Sequence, residues 1–161
     1  MVKLIKTLIT AAVVAGFDET TLRAGPAGTK KYVLGAFTER YSALFLGQRT
    51  LASFRDFGIS PSSSASWYRT GTRTTSMTAG SASPGSRHAA PSERGVRPLK
   101  TQQKISGRLT SSHVTQARLD IRSYIDTARK HGQDVLTALR AAMTGTPMEP
   151  PSPGHRGRPR A

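Results

Sequence analysis

The first 60 residues alternate between short apolar runs and polar connections. The opening run, MVKLIKTLITAAVVAG, predicts an amphipathic helix over residues 4–9 and then a buried strand over residues 12–17. Lysines ahead of an apolar run, with small residues near Ala15, are also typical of a secretory signal. Acidic residues follow the apolar run directly, at Asp18 and Glu19, which favours the helix and strand.

Two further apolar runs, KKYVLGAFT and YSALFLG, predict a β-hairpin around the polar residues 38–40. The next segment, RTLASFRDFG, has apolar residues three apart, and Gly58 stands where such a helix would end. The GPAGTKK segment lacks the spacing of a phosphate-binding loop and precedes a strand, so we interpret it as a turn. The amino-terminal third therefore predicts a mixed α/β unit built of helix, strand, hairpin and helix.

The carboxyl-terminal third predicts two helices. In the first, apolar residues recur at steps of three and four and predict one buried face. They are Val114, Ala117, Ile121, Tyr124, Ile125 and Ala128. His131 and Gly132 end this helix, and a second helix over residues 133–143 follows. We expect its apolar residues to point inward, namely Val135, Leu136, Leu139 and Met143.

The middle of the chain has a different composition. Residues 60–92 contain no Leu, Ile, Val, Phe, Asp or Glu, and Ser and Thr fill 15 of those 33 positions. Too little apolar surface is present to offset the entropy lost on ordering. We therefore expect four parts: an α/β part at 1–59, a disordered insert at 60–91, a helical part at 92–146 and a disordered basic tail at 147–161.

The net charge of +15 and the isoelectric point near 11.4 favour a polyanionic partner, and DNA fits better than a membrane because no long basic amphipathic helix is present. Five cations at steps of three and four form a basic stripe if their segment is helical; a solvated charged face is the alternative. They are Arg94, Arg97, Lys100, Lys104 and Arg108.

The chain has no Cys and its four His are scattered, so we expect no structural metal. No apolar run reaches membrane-spanning length, so we expect a cytoplasmic protein.

Two stretches of the chain resemble pieces of a known protein family. They are FDETTLRAGPAGTKKYVLGAFTERYSALFLGQRTLASFRDFGI and SERGVRPLKTQQKISGRLTSSHVTQARLDIRSYIDTARKHGQDVLTAL, and together they cover more than half of the chain. Both are similar to the transposases of the bacterial insertion sequence 66 family. The resemblance implies a ribonuclease H-like core, here a partial one, in which two Asp and one Glu hold two Mg²⁺ ions for DNA strand transfer at the ends of the element.

The resemblance assigns two of the three carboxylates. Asp18, placed at the end of the first predicted strand, matches the first Asp, and Glu93 in the SER motif matches the Glu. Mg²⁺ prefers oxygen ligands, and two ions about 4 Å apart stabilise the attacking and leaving oxygens of an in-line phosphoryl transfer. Without the resemblance, Asp18 could cap a turn and Glu93 could pair with Arg97 one helical turn later.

The second Asp that the resemblance implies is missing, and our hypothesis is that a shift of reading frame removed it. Triplets that start at the third base of each codon give Val across Trp67 and Tyr68, and Asp across Met77 and Thr78, whatever the codon choice. With allowed codons elsewhere, 65–77 reads Val-Val-Val-Gln-Asp-Arg-Tyr-Gln-Asn-Tyr-Phe-Asp-Asp, a buried strand that ends in Asp. We expect the shift near residues 57–60, a return to the family's frame by about Pro91, and the loss of the family's central stretch and of its amino-terminal DNA-binding portion.

Two carboxylates of three would hold the metal ions poorly, so we expect weak or absent strand transfer. The residual activity that fits best is association with an intact transposase subunit. A different class of function is a non-catalytic DNA binder, because the tail's Arg156, Arg158 and Arg160 resemble an AT-hook that lies in the minor groove. A decayed element without function is the third alternative.

Overall fold

A computed structural model of the chain describes residues 1–12, 14–26, 29–59, 66–69, 96, 98–99, 101, 104–105, 109 and 111–150. The elements follow in the order α1 (Val2–Thr10), β1 (Val14–Leu22), β2 (Lys31–Phe37), β3 (Ser42–Gly47), α2 (Leu51–Phe57), β4 (Ser66–Arg69), α3 (Ser112–Lys130) and α4 (Val135–Met143). The predicted mixed α/β class is confirmed, and so is the β2–β3 hairpin.

The strands form one sheet in the order β3-β2-β1-β4. The first three strands are antiparallel neighbours, whereas β4 runs parallel to β1. Pairing of β1 with β2 continues to Leu22 opposite Lys31, so β1 is longer than the predicted strand. Asp18 therefore lies in the middle of β1, and the expectation that it ends the strand is wrong.

Each face of the sheet carries its own apolar cluster. On one side Ile5, Leu8 and Ile9 of α1 and Phe57 of α2 pack against Ala15 and Leu34. On the other side Val33 and Phe37 of β2 pack with Leu22, Leu44, Val96, Leu99 and Leu119. The alternation of Val33, Leu34, Ala36 and Phe37 between the two clusters is what the two-residue period of a strand requires.

Three of the four helices begin at a residue whose side chain caps the first turn. The side-chain oxygens of Thr50, Ser111 and Asp134 accept hydrogen bonds from backbone N–H groups in the first turns of α2, α3 and α4. The residue after α2 is Gly58, with φ of 70°, a left-handed conformation that suits glycine. The predicted end of α2 at Gly58 is confirmed.

Within the segment expected to be disordered, the structure describes four residues. These are Ser66–Arg69, which form β4 and pair with β1 from Val14 opposite Ser66 to Phe17 opposite Arg69. The structure thus differs from the composition-based expectation here, because backbone pairing needs no particular side chain. The rest of 60–91 lies outside the described residues, as does 151–161 of the tail.

The face that α3 turns toward the sheet is not the predicted one. Its buried residues include Thr115, Leu119, Ser123 and Thr127, four apart, whereas Val114 and Ile121 are 49% and 52% exposed. The reason is that α3 lies along the open edge of β3, where backbone groups need polar partners. Tyr124 and Ala128, also on the predicted face, are buried against α4.

Helix α4 is present where predicted, but of the four apolar residues expected to point inward two are exposed, whereas Val135 and Leu139 are half-buried. It packs on α3 through Ala138, whose carbonyl accepts a hydrogen bond of 3.0 Å from the Tyr124 hydroxyl. Because the contact uses this small residue, Leu136 and Met143 are left 71% and 89% exposed. The expectation that they point inward is wrong.

Within the described ranges, no helix has the length and apolar character needed to cross a membrane.

Candidate carboxylate site on the central strand

Asp18 lies on β1, an interior strand of the described sheet, and is 9% exposed. Alternate residues of a strand share a face, so Asp18 lies on the same side as Leu22. That side carries the cluster of Val33, Phe37, Val96 and Leu99. One carboxylate oxygen, Oδ1, accepts a hydrogen bond of 2.8 Å from the Glu19 N–H. The candidate catalytic carboxylate is thus held within the fold and largely removed from solvent.

The residue that pairs with Asp18 on β2 is Gly35. A Cβ atom at Gly35 would overlap the ring of Phe37 and come within 3.3 Å of Leu44 Cδ2. The ring of Phe37 therefore lies over the backbone of Gly35, opposite Asp18. Only glycine, which has no Cβ atom, leaves room for the ring there. The surface beside the carboxylate is apolar on this side.

Strand β4 lies on the other side of β1. Its last described residue, Arg69, pairs with Phe17, which directly precedes Asp18 in the sequence. Thr70 follows Arg69 in the sequence and lies outside the described residues. In the hypothesised alternative reading frame, the first Asp triplet spans Arg69 and Thr70, at the end of this strand.

Glu93 lies outside the described residues, so its distance from Asp18 is not defined. The residue three positions later, Val96, is helical and fully buried, and Leu99 is 8% exposed. Both belong to the apolar cluster on the face that carries Asp18. Val96 and Leu99 therefore pack on the face of the sheet that carries Asp18.

Three other described carboxylates, those of Glu19, Asp56 and Asp120, lie elsewhere in the fold. Glu19 points to the opposite face by strand alternation, and its Oε1 lies 2.7 Å from Nε of Arg49. Asp56 is exposed on α2, which covers that opposite face. Asp120 accepts a hydrogen bond of 2.8 Å from Gln116.

No group of three or more His, Asp or Glu suited to a metal ion occurs among the residues that the structure describes. Asp18 alone offers too few oxygen donors to hold Mg²⁺. The predicted Mg²⁺ site thus remains a prediction that requires Glu93 and a further carboxylate.

Of the predicted DNA-binding residues, the structure describes Lys104, which is helical and exposed next to Ile105, itself 81% exposed. The remaining seven predicted contacts lie outside the described residues. These are Arg94, Arg97, Lys100, Arg108, Arg156, Arg158 and Arg160. A common basic stripe therefore stays a prediction.

Lys130, the last residue of α3, is a half-buried cation that the sequence pattern did not single out. Its Nζ donates hydrogen bonds to the carbonyl oxygens of Thr38 at 2.7 Å and Tyr41 at 2.9 Å. Burial lowers the pKa of Lys130 from 10.5 to about 8, although the carboxylate of Asp126 opposes the shift. The sequence signal was faint, since a cation in the last turn of a helix is common and does not predict a particular partner.

Comparison with known proteins gives no match for this chain among protein-family models, curated proteins or solved structures.

Proposed function

We propose that the chain is a fragment of a transposase of the insertion sequence 66 type, with a partial ribonuclease H-like core that has lost strand-transfer activity. The sequence resemblance described above is the basis of the family assignment. The structural observation that supports it best is the position of β4. This strand runs parallel to β1 on the side away from β2, and the pairing reaches the residue before Asp18.

The arrangement supports the proposal because metal-dependent strand transfer needs carboxylates from neighbouring elements. Asp18 supplies one from the interior strand, and Glu93 would supply another from the segment before the buried Val96. The neighbouring parallel strand β4 would carry the third, but neither its sequence SWYR nor the next residue in the sequence, Thr70, contains an acid. Bound Mg²⁺ ions would activate the attacking oxygen and stabilise the leaving oxygen of the DNA backbone.

Restoring an acid after β4 tests this proposal. In the full-length chain, Thr70→Asp should strengthen Mg²⁺ binding at least about tenfold, because a second carboxylate beside Asp18 adds oxygen ligands to an incomplete site. Isothermal titration calorimetry measures the affinity. Thr70→Asn, which is close in size and uncharged, is the matched control, and Asp18→Asn combined with Thr70→Asp should abolish the gain. Equal affinity of the Asp and Asn variants would contradict the proposal.

A second candidate function is non-catalytic binding of DNA, alone or together with an intact transposase subunit. The net charge of +15 and the RGRPR tail favour it. Affinity for duplex DNA should then fall steeply as the salt concentration rises, and Asp18→Asn should leave it unchanged. Removal of residues 151–161 should weaken binding to AT-rich DNA more than to GC-rich DNA. DNA affinity that is independent of salt would exclude this function.

A further inference from the structure

The carboxyl-terminal end of α3 meets the turn between β2 and β3 in a cluster of basic groups. The His131 ring lies against Tyr41, with 5.5 Å between ring centroids and an angle of 46° between the ring planes. The preceding residue, Lys130, donates hydrogen bonds to the carbonyl oxygens of Thr38 and Tyr41 in the same turn. Arg40 belongs to this turn as well. The last residue of α3 and the residue that follows it thus both contact the hairpin turn.

The surroundings of His131 disfavour the positively charged, doubly protonated form of its ring. Its Nε2 atom is buried and has no hydrogen-bond partner among the described residues. Protonation would leave a buried N–H donor without an acceptor, which is unfavourable. Burial is the main cause that lowers the pKa of His131, and the positive charges of Arg40 and Lys130 lower it further.

The nearby described acids are exposed or have partners other than His131. Asp126, one turn earlier on α3, accepts a hydrogen bond of 2.9 Å from Arg122 and lies 3.7 Å from a guanidinium nitrogen of Arg129. Glu39 is exposed in the β2–β3 turn. Asp134, at the start of α4, is exposed and accepts hydrogen bonds from Thr137.

The contact that His131 closes is continuous with a row of hydrogen bonds along β3. The N–H groups of Ser42, Leu44 and Leu46 donate to Thr127 at 3.1 Å, Ser123 at 2.9 Å and Gln116 at 2.8 Å. Ser42 is bound nearest to the His131 end of α3, and Leu46 is bound farthest from it. If the His131 end opens, the backbone N–H groups of β3 become accessible to water in that order.

We propose that His131 makes the contact between α3 and the sheet edge an acid-sensitive latch, which opens from the carboxyl-terminal end of α3 when the imidazole is protonated. In the open form the ring reaches water and titrates at its ordinary value, so protons favour that form. Opening frees the edge of β3, a row of backbone groups able to pair with another strand. This proposal does not depend on the transposase assignment.

Amide hydrogen exchange of the full-length chain, measured by NMR between pH 7.5 and 5.5, tests the latch. The protection factor of Ser42 should fall as pH drops below 6.5, by up to about tenfold per pH unit until the folded-state pKa of His131 is reached. Leu44 should follow to a smaller extent, and Leu46 least. The paired amides of β1 should keep their protection, because the latch opens locally.

Two variants make the test specific. His113→Gln, at an exposed histidine in the first turn of α3, should behave like the unmodified chain. His131→Phe keeps an aromatic ring against Tyr41 but cannot be protonated, so the Ser42 protection factor should not change with pH. Equal loss of protection in His131→Phe, or uniform loss across β1 and β3, would overturn the proposal.

A direct titration of His131 gives an independent measurement should the His131→Phe variant not fold. The NMR signal of the imidazole Hε1 proton should titrate below pH 6.5 and change together with the Ser42 protection factor. Titration at or above 6.5, or a Ser42 protection factor that does not follow it, would equally overturn the latch.

Discussion

At the scale of single residues, Gly35 shows what sequence patterns can and cannot predict. The run KKYVLGAFT predicts β2, yet nothing in it indicates that its sixth residue, Gly35, must lack a side chain. The need arises from tertiary structure, because the Phe37 ring covers Gly35 opposite Asp18. The resemblance assigned Asp18 as a candidate catalytic residue. Its position in the middle of β1 became clear only from the pairing with β2, which extends β1 to Leu22.

Lys130 gives a prediction at the same scale. Between pH 8 and 10.5 the unfolded chain keeps the proton on this amine and the folded chain releases it, because the folded-state pKa is about 8. The unfolded state therefore binds more protons, and the free energy of unfolding should rise with pH over this range. Urea denaturation at pH 7.5, 8.5 and 9.5 measures it.

Lys130→Met, which retains an apolar chain of similar length, should lose this contribution. The quantity to compare is the difference in unfolding free energy between the two proteins at each pH. Burial also lowers the pKa of Lys6, but this effect is common to both proteins and cancels in the difference. Tyr41, whose pKa is raised by burial, opposes the trend only near and above pH 10. A difference in unfolding free energy that stays constant from pH 7.5 to 9.5 would refute the assigned role of Lys130.

At the scale of elements, α3 explains why hydrophobic periodicity identified the helix but not its buried face. Periodicity assumes that a helix packs through apolar residues. Here the sheet edge requires hydrogen-bond acceptors, which Thr127, Ser123 and Gln116 supply to β3. These polar residues, at steps of seven and four, were present in the sequence, but they resemble an ordinary exposed face until the position of β3 is known.

The hydrogen bonds to β3 give the element-scale prediction. Ser123→Ala and Thr127→Val each leave a buried N–H of β3 without its acceptor, and each should lower the free energy of unfolding by about 1–3 kcal/mol. Chemical denaturation measures the change. Val114→Ala, on the exposed side of the same helix, is the control and should change it by less than about 0.5 kcal/mol. Equal effects at buried and exposed positions would contradict the role of α3 as an edge cap.

At the scale of the whole molecule, the sheet brings together parts of the chain that differ in origin according to the frame-shift account. Strands β1 to β3 come from the stretch that resembles a transposase, whereas β4 comes from the Ser- and Thr-rich middle. Composition predicted no order for this middle segment, since composition reports side chains and parallel pairing depends on the backbone. The parallel place beside β1 is taken by SWYR, which supplies no carboxylate.

The nucleotide sequence that encodes residues 51–100 tests the central claim most directly. If a frame shift removed the second catalytic Asp, the frame that starts at the third base of each codon reads Val-Val-Val-Gln-Asp-Arg from Ala65 onward. The Asp triplet then spans the codons of Arg69, the last residue of β4, and Thr70. If that frame instead gives a polar sequence or a stop codon there, the middle segment belongs to the protein as it stands, and the account of a broken transposase is wrong.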